Sequence, residues 1–307
     1  MNFFDFIKKF PTEEAIIDYF IKIKYGDEIV CPKCGTNHKI YQKTTRKKVF
    51  DCNSCHNSFS IFKGTIFEKS STDLRKWFYA IHLMLNSKKG ISGLQLQREI
   101  DVTYKTAWRM LKQIRIAMGN VDNNYFEAMV EIDETYVGGK PRKNNKHKND
   151  DDDFDDHIPN KRGRGTNKTP VVGLKERNTN KVQMFVALPN QKQHKLSGNQ
   201  LLGMIDKVCK KGSTIISDEF RGYNILDRKD SNYVHLRIDH TIMYADGNIH
   251  TNGIESVWSL IKRGIYGIYH HVSIKHLQNY LNEYQFRLNN RTESKMFDIL
   301  LKQCVIG

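Results

Sequence analysis

Three acidic side chains sit where an acid is unfavourable without a partner. Asp133 lies inside Met129-Val-Glu-Ile-Asp-Glu-Thr-Tyr-Val-Gly-Gly139, an apolar, β-branched run closed by two glycines, which is the pattern of a short strand. Asp218 ends a second such run, Ser213-Thr-Ile-Ile-Ser-Asp218. Glu255 sits in Asn252-Gly-Ile-Glu-Ser-Val-Trp-Ser-Leu-Ile-Lys262, which has helical periodicity. A carboxylate within a core strand is costly unless it is paired or binds a metal. Acids from two strands and a helix are what two-metal phosphoryl transfer requires, because two hard cations on carboxylate oxygens stabilise both the attacking and the leaving oxygen. The expected ions are Mg2+ or Mn2+, two at the site. Asp133 is the expected bridging ligand, Asp218 the ligand of one ion and Glu255 of the other. Glu131 shares the face of Asp133 by period two and stays a minor alternative, whereas Glu134 is expected to point the opposite way. Lys262, two helical turns beyond Glu255, is placed to hold a substrate phosphate near the metals, with Arg263 in support.

A second constellation is built from thiols. Cys31-Pro-Lys-Cys34 and Cys52-Asn-Ser-Cys55 are CxxC pairs separated by seventeen residues. Each tight turn offers two thiolates, and two turns complete a tetrahedron around one structural Zn2+. Between them, Lys39 to Phe50 reads as a hairpin. Its Lys39, Lys43, Arg46, Lys47 and Lys48 either touch phosphates or form a solvated basic surface. Cys209 and Cys304 stand apart, so cysteine usage points to a reducing compartment with a metal site and not to a disulfide framework.

The 307-residue chain carries 49 Lys and Arg against 34 Asp and Glu, a formal charge of +15. That balance favours a polyanionic partner, nucleic acid before membrane. No apolar run approaches the length of a membrane span, and Met1 to Phe10 lacks the apolar centre of a signal peptide.

The surrounding elements must position these groups. Residues 1–28 read as an N-terminal helix, with Thr12 as N-cap and Ala15, Ile16, Tyr19, Phe20 and Ile23 on one face. Residues 29–66 form the expected zinc ribbon. Residues 70–120 read as a helix-turn-helix-like DNA-binding domain, with helices from Asp73 to Leu85, Leu94 to Ile100 and Thr103 to Met118. In the last of these, Lys105, Arg109 and Lys112 share the outer stripe expected to meet DNA. Residues 140–168 break the composition: a basic run meets Asp150-Asp-Asp-Asp-Phe-Asp-Asp156, and this insert is expected to be disordered, with solvated aspartates. Strands follow at 170–176, 181–188, 214–218 and 233–238, with helices at 197–210, 252–265 and 274–289. This order is that of an α/β, ribonuclease-H-like catalytic domain over 127–300, a mixed five-stranded sheet with flanking helices.

At Asp133-Glu-Thr-Tyr-Val-Gly-Gly-Lys140, Ser217-Asp-Glu-Phe-Arg-Gly-Tyr223 and His250-Thr-Asn-Gly-Ile-Glu-Ser-Val-Trp-Ser-Leu-Ile-Lys-Arg-Gly264, the chain resembles the zinc-ribbon DDE transposases of bacterial insertion sequences and their eukaryotic Merlin-type relatives. Tyr269-His-His-Val-Ser273 and Tyr284-Gln-Phe-Arg-Leu-Asn289 continue the likeness, which with the ribbon covers most of residues 10–300. The resemblance implies metal-dependent cleavage at inverted-repeat ends and transfer of the 3′-hydroxyl into target DNA, with Asp133, Asp218 and Glu255 as the triad. Some relatives carry an asparagine in place of the glutamate, which brings Asn252 into view, but Glu255 has the matching downstream lysine. The long insert departs from the pattern. The expected partners are DNA, as transposon ends and target, and further copies of the chain, at least a dimer on DNA. The expected location is the cytoplasm or nucleoid of a prokaryote, or a eukaryotic nucleus. Competing readings are a catalytically inactive, domesticated DNA-binding protein and a nuclease or resolvase that cuts without joining.

Overall fold

The computed structural model describes residues 1–120, 126–138, 168–188, 196–238 and 249–306. The insert read at 140–168 lies, apart from Lys168, outside them. The chain divides into two compact units, Met1–Asp122 with Phe286–Gly307, and Asn123–Gln285.

In the first unit the N-terminal residues are helical, but in two pieces, α1 (Phe3–Lys9) and α2 (Glu13–Tyr25). Pro11 explains the break, since it disfavours helical backbone at the residue before it and donates no N–H. Thr12 restarts the helix, its hydroxyl accepting the Ala15 N–H at 3.2 Å. Strands β1 (Ile40–Lys43), β2 (Arg46–Cys52) and β3 (Asn57–Ser60) form an antiparallel sheet in that order. Helices α3 (Leu74–Asn86), α4 (Gly93–Ile100) and α5 (Tyr104–Ala117) follow. Asp101 takes a left-handed conformation between α4 and α5, with φ of 47°. The C-terminal helix Met296–Ile306 returns to this unit, and its Leu300 and Leu301 share one apolar core with Phe20, Trp77, Phe78 and Met110. Each such fully buried side chain contributes roughly 1.5–3 kcal/mol.

The second unit holds a five-stranded sheet of order β6-β5-β4-β7-β8. Its strands are β4 (Met129–Val137), β5 (Thr169–Glu176), β6 (Val182–Val186), β7 (Thr214–Ser217) and β8 (Val234–Arg237). β4, β5 and β6 pair antiparallel, whereas β7 and β8 add parallel strands on the other side of β4. This is the ribonuclease-H-like arrangement, with β4 central. Helix α6 (Gly198–Asp206) stops short of the 197–210 expected from periodicity. Val208 accepts the Phe126 N–H at 2.8 Å and Lys210 donates to the Phe126 carbonyl at 2.9 Å, so bridging pulls the chain out of the helix. Helix α7 (Asn252–Gly264) runs on into one π-helical turn, Ile265–Tyr269, and α8 (Ile274–Asn289) follows. Edge strand β6 is covered by α8: Gln278 and Gln285 accept the N–H groups of Val186 and Met184 at 2.9 and 3.0 Å, removing an open edge that could pair with another chain.

Candidate active site and metal centres

The four CxxC thiols converge. One sulfur from each of Cys31, Cys34, Cys52 and Cys55 lies within 4.8 Å of the others. Cys52 ends β2, and Cys31 and Cys52 are buried at 1% exposure. The first turn is closed by Gly35, which donates to the Cys31 carbonyl at 2.9 Å with φ of 71°. Burial opposes ionisation of Cys31, but the backbone N–H groups of Cys34 and Lys33 and the neighbouring thiols outweigh it and hold its pKa at about 6. A closed set of four sulfurs, one already prone to be thiolate, fits a tetrahedral soft-ligand metal. On the adjoining hairpin, Lys43, Lys47 and Lys48 pair with Asp51, Glu14 and Glu13 at 3.2, 3.5 and 2.5 Å. These are exposed pairs worth ~0–1 kcal/mol each, so a phosphate can compete for the lysines.

On α5, Lys105 is exposed. Arg109 donates to the Glu68 carbonyl at 3.2 Å, and the Lys112 ammonium lies 5.6 Å from the centre of the Trp108 ring. The inward face is Ala107, Met110, Leu111 and Ile114, all buried.

In the second unit the acids gather where mid-strand β4 passes the C-terminal end of β7. Glu131 is opposite Ile216 in the parallel register; continued by two residues, that register sets Asp218 beside Asp133. Carboxylate oxygens of Asp133, Glu134 and Asp218 lie within 4.8 Å of one another. Glu134 was expected on the far face, and period two does put it there. Because β7 ends at Ser217, no strand among the described residues pairs with that edge of β4 beyond Glu131, and carboxylates from both faces reach Asp218. A strand pattern alone could not reveal this; the signal available was an Asp-Glu pair in the middle of an otherwise apolar strand.

Each carboxylate of the group is oriented by a neutral donor. Trp258 Nε1–H donates to Asp133 Oδ2 at 2.9 Å, Tyr223 O–H to Glu134 Oε2 at 3.0 Å, and the Phe220 N–H to Asp218 Oδ1 at 3.0 Å. Burial, then the charges of Glu134 and Asp218, raise the Asp133 pKa to about 7, against the backbone N–H of Glu134 and the Trp258 bond, which lower it. Carboxylates that burial and, after it, mutual repulsion keep from ionising fit a divalent cation, whose charge favours the ionised forms.

Glu255 lies in the first turn of α7, exposed, its Oε1 accepting the Thr251 hydroxyl at 3.0 Å. It is not among the three carboxylates that converge. It stands one turn before Trp258, on the helix that touches Asp133. Lys262 is half-buried two turns along α7, and exposed Arg263 donates to the Ser259 carbonyl at 3.1 Å.

Glu131 has a different task from that of a metal ligand. Only 1% exposed, it accepts the Ile254 N–H at 2.9 Å through Oε2 and Arg177 Nε–H at 2.8 Å through Oε1. Arg177 also donates to the His250 carbonyl at 2.7 Å. The Thr251 side chain does not cap α7, so a carboxylate from β4 caps it instead, where the helix dipole favours negative charge. Gly253 allows this: a Cβ there would stand 2.6 Å from Glu131 Oε2.

Residues 11–58 match the model of the transposase zinc-ribbon domain, and residues 126–289 that of the ISXO2-like transposase domain. The chain belongs to the ISXO2-like transposase family. It is 32% identical over 289 residues to an uncharacterized protein in transposable element ISH50 of Halobacterium salinarum, covering 92% of each. An uncharacterized transposase-like protein of Haemophilus influenzae is 35% identical over 107 residues, 35% of this chain and 84% of that one. A chain in the crystal structure of a pre-cleavage Mos1 transpososome is similar at 8% identity over 74% of this transposase-family chain and 78% of its own, with a TM-score of 0.26. Among the described residues, no helix of this family member is long and apolar enough to cross a membrane.

Proposed function

We propose that the chain is a DDE transposase that cleaves DNA at the inverted-repeat ends of its element and joins the 3′-hydroxyl ends to target DNA. The observation that carries this reading is the convergence of Asp133 and Glu134, in mid-β4, with Asp218, directly after β7. Asp133 and Asp218 bind the divalent cations, with Mg2+ or Mn2+ as the ions and two per site. Glu255 completes the set from α7, and Glu134 joins it. Bound cations supply charge stabilisation to the attacking and leaving oxygens of the phosphate. The chain's own residues do the rest. Trp258, Tyr223 and the Phe220 N–H hold the carboxylates in orientation, which limits reorganisation during reaction. Glu131 and Arg177 fix the start of α7 and so the direction from which Glu255 and Lys262 approach. Lys262 and Arg263 bind DNA phosphates.

The ribbon binds one structural Zn2+ through Cys31, Cys34, Cys52 and Cys55. Lys105, Arg109 and Lys112 face the transposon end, and the +15 charge supports attraction of DNA over distance. Joining two ends calls for at least a dimer on DNA. The test is incubation of the purified, zinc-loaded protein with its element's end sequence and Mg2+. Nicked and then joined products support the reading. Nicking without joining points to a nuclease, and binding without either points to a domesticated DNA-binding protein.

A further inference from the structure

Ser217 ends β7 directly before Asp218. Its Oγ lies 2.8 Å from His235 Nε2 on β8 and 2.8 Å from the Asp218 carbonyl oxygen. His235 Nδ1 lies 2.8 Å from Asp227 Oδ1, and Arg237 holds the other oxygen of Asp227. An ionised carboxylate only accepts, so His235 Nδ1 carries a proton; the neutral ring's Nε2 and the Asp218 carbonyl oxygen then both accept, and the single Ser217 hydroxyl proton is shared between them.

Aspartate, histidine and serine in this order, at these distances, have the connectivity of a nucleophilic triad. Access decides against that use. Ser217 is 0% exposed and the His235 side chain 2%, so no substrate carbonyl reaches Oγ. What the chain of bonds does reach is the backbone of Asp218, whose carboxylate is tied from its other side by the Phe220 N–H.

We propose that Asp227, His235 and Ser217 are positioning residues that fix the Asp218 backbone, and with it the carboxylate, for divalent-cation binding. The proposal rests on reading Asp218 as a cation ligand. Its physical basis is that a buried hydroxyl must keep its partners, so His235 fixes Ser217, and Ser217 fixes the turn that carries Asp218. Outer-shell groups of this kind shift metal affinity while the ligands themselves stay unchanged.

The test is Mn2+ binding to the full-length, zinc-loaded protein, read as free Mn2+ by electron paramagnetic resonance, with thermal melting in EDTA as the check on folding. The wild type should bind and Asp218→Asn should lose most of that binding. Ser217→Ala and His235→Leu should each weaken binding about tenfold, at the low end of outer-shell effects because the contact is to backbone. His235→Gln, which keeps a polar atom to pair with Ser217, should recover part of the loss relative to His235→Leu, a split that lost packing alone would not produce. Should Ser217→Ala not fold, the His235 pair carries the comparison. If Asp218→Asn loses Mn2+ while Ser217→Ala and His235→Leu match the wild type, the relay is overturned and the cation site stands. If Asp218→Asn binds as well as the wild type, both fall. Covalent labelling of Ser217 by a fluorophosphonate probe would overturn the positioning role in favour of a nucleophile.

Discussion

Trp258 donates its indole N–H to Asp133 Oδ2 at 2.9 Å, and it does so over Gly173, the β5 residue paired with Asp133. A Cβ at Gly173 would stand 2.5 Å from the Trp258 ring and 2.9 Å from Ile254. The missing side chain is what lets α7 lie close enough to orient the acid.

Gly173→Ala should therefore push α7 off the sheet. Overpacking of this kind costs roughly 1–3 kcal/mol, and urea unfolding should show it. Trp258→Phe keeps most of the packing and removes the N–H donor, so it should lower cleavage more than stability. Equal stability of Gly173→Ala and wild type would contradict the close approach.

Glu131→Ala should be among the most damaging substitutions in the second unit. It uncaps α7 and leaves Arg177, 18% exposed, without its carboxylate; breaking a buried pair costs about 3–5 kcal/mol. Glu131→Gln retains an acceptor for the Ile254 N–H and should lose less. Chemical denaturation separates the two, and an unaffected Glu131→Ala protein would sink the capping role.

The Asp133 pKa of about 7 in the metal-free protein stands against an ordinary 3.8. Between these values the folded state keeps a proton that the unfolded state has lost. The associated stability is full below the lower value and is lost as pH rises through the upper one. In EDTA, unfolding should be easier near pH 8 than near pH 5, with a smaller contrast in Asp133→Asn. Added Mg2+ or Mn2+ should restore stability at the higher pH, since cations bind the ionised group. A contrast between the two pH values that Asp133→Asn leaves intact would show that other groups carry it.

The ribbon should hold about one zinc per chain, because a closed four-cysteine site takes a single ion. Substituting Cys52 by serine, or stripping the metal, should loosen β1 to β3, whose small core leans on the site for folding energy. Hydrogen exchange over residues 40–60 is the measurement. Natively purified protein with four free thiols and no zinc would contradict it.

Much of this was legible before any fold was known. The CxxC spacing, strand β4 and strand β7 with an acid directly after it all follow from local pattern, and local pattern is what period two and short motifs encode. The roles that escaped depend on distant partners. Glu131 reads as a spare ligand until Ile254 and Arg177, far along the chain, are seen to use its charge. Glu134 reads as facing away until β7 is seen to pair with β4 no further than Glu131. Gly173 carries no signal without Trp258 above it. The C-terminal helix Met296–Ile306 went unread, since its place in the first unit's core rests on contacts with α2, α3 and α5.

On the reading proposed above, Asp133 in mid-β4 and Asp218 directly after β7 perform DNA strand chemistry. The direct measurement is cleavage and joining of the element's end DNA in Mg2+ by wild type and by Asp133→Asn, which nearly keeps the side-chain volume and removes the charge. The variant should fold and bind ends normally, with its strand-cleavage rate down by several orders of magnitude, since positioning and charge stabilisation supply most of such catalysis. End joining by Asp133→Asn at the wild-type rate would contradict it.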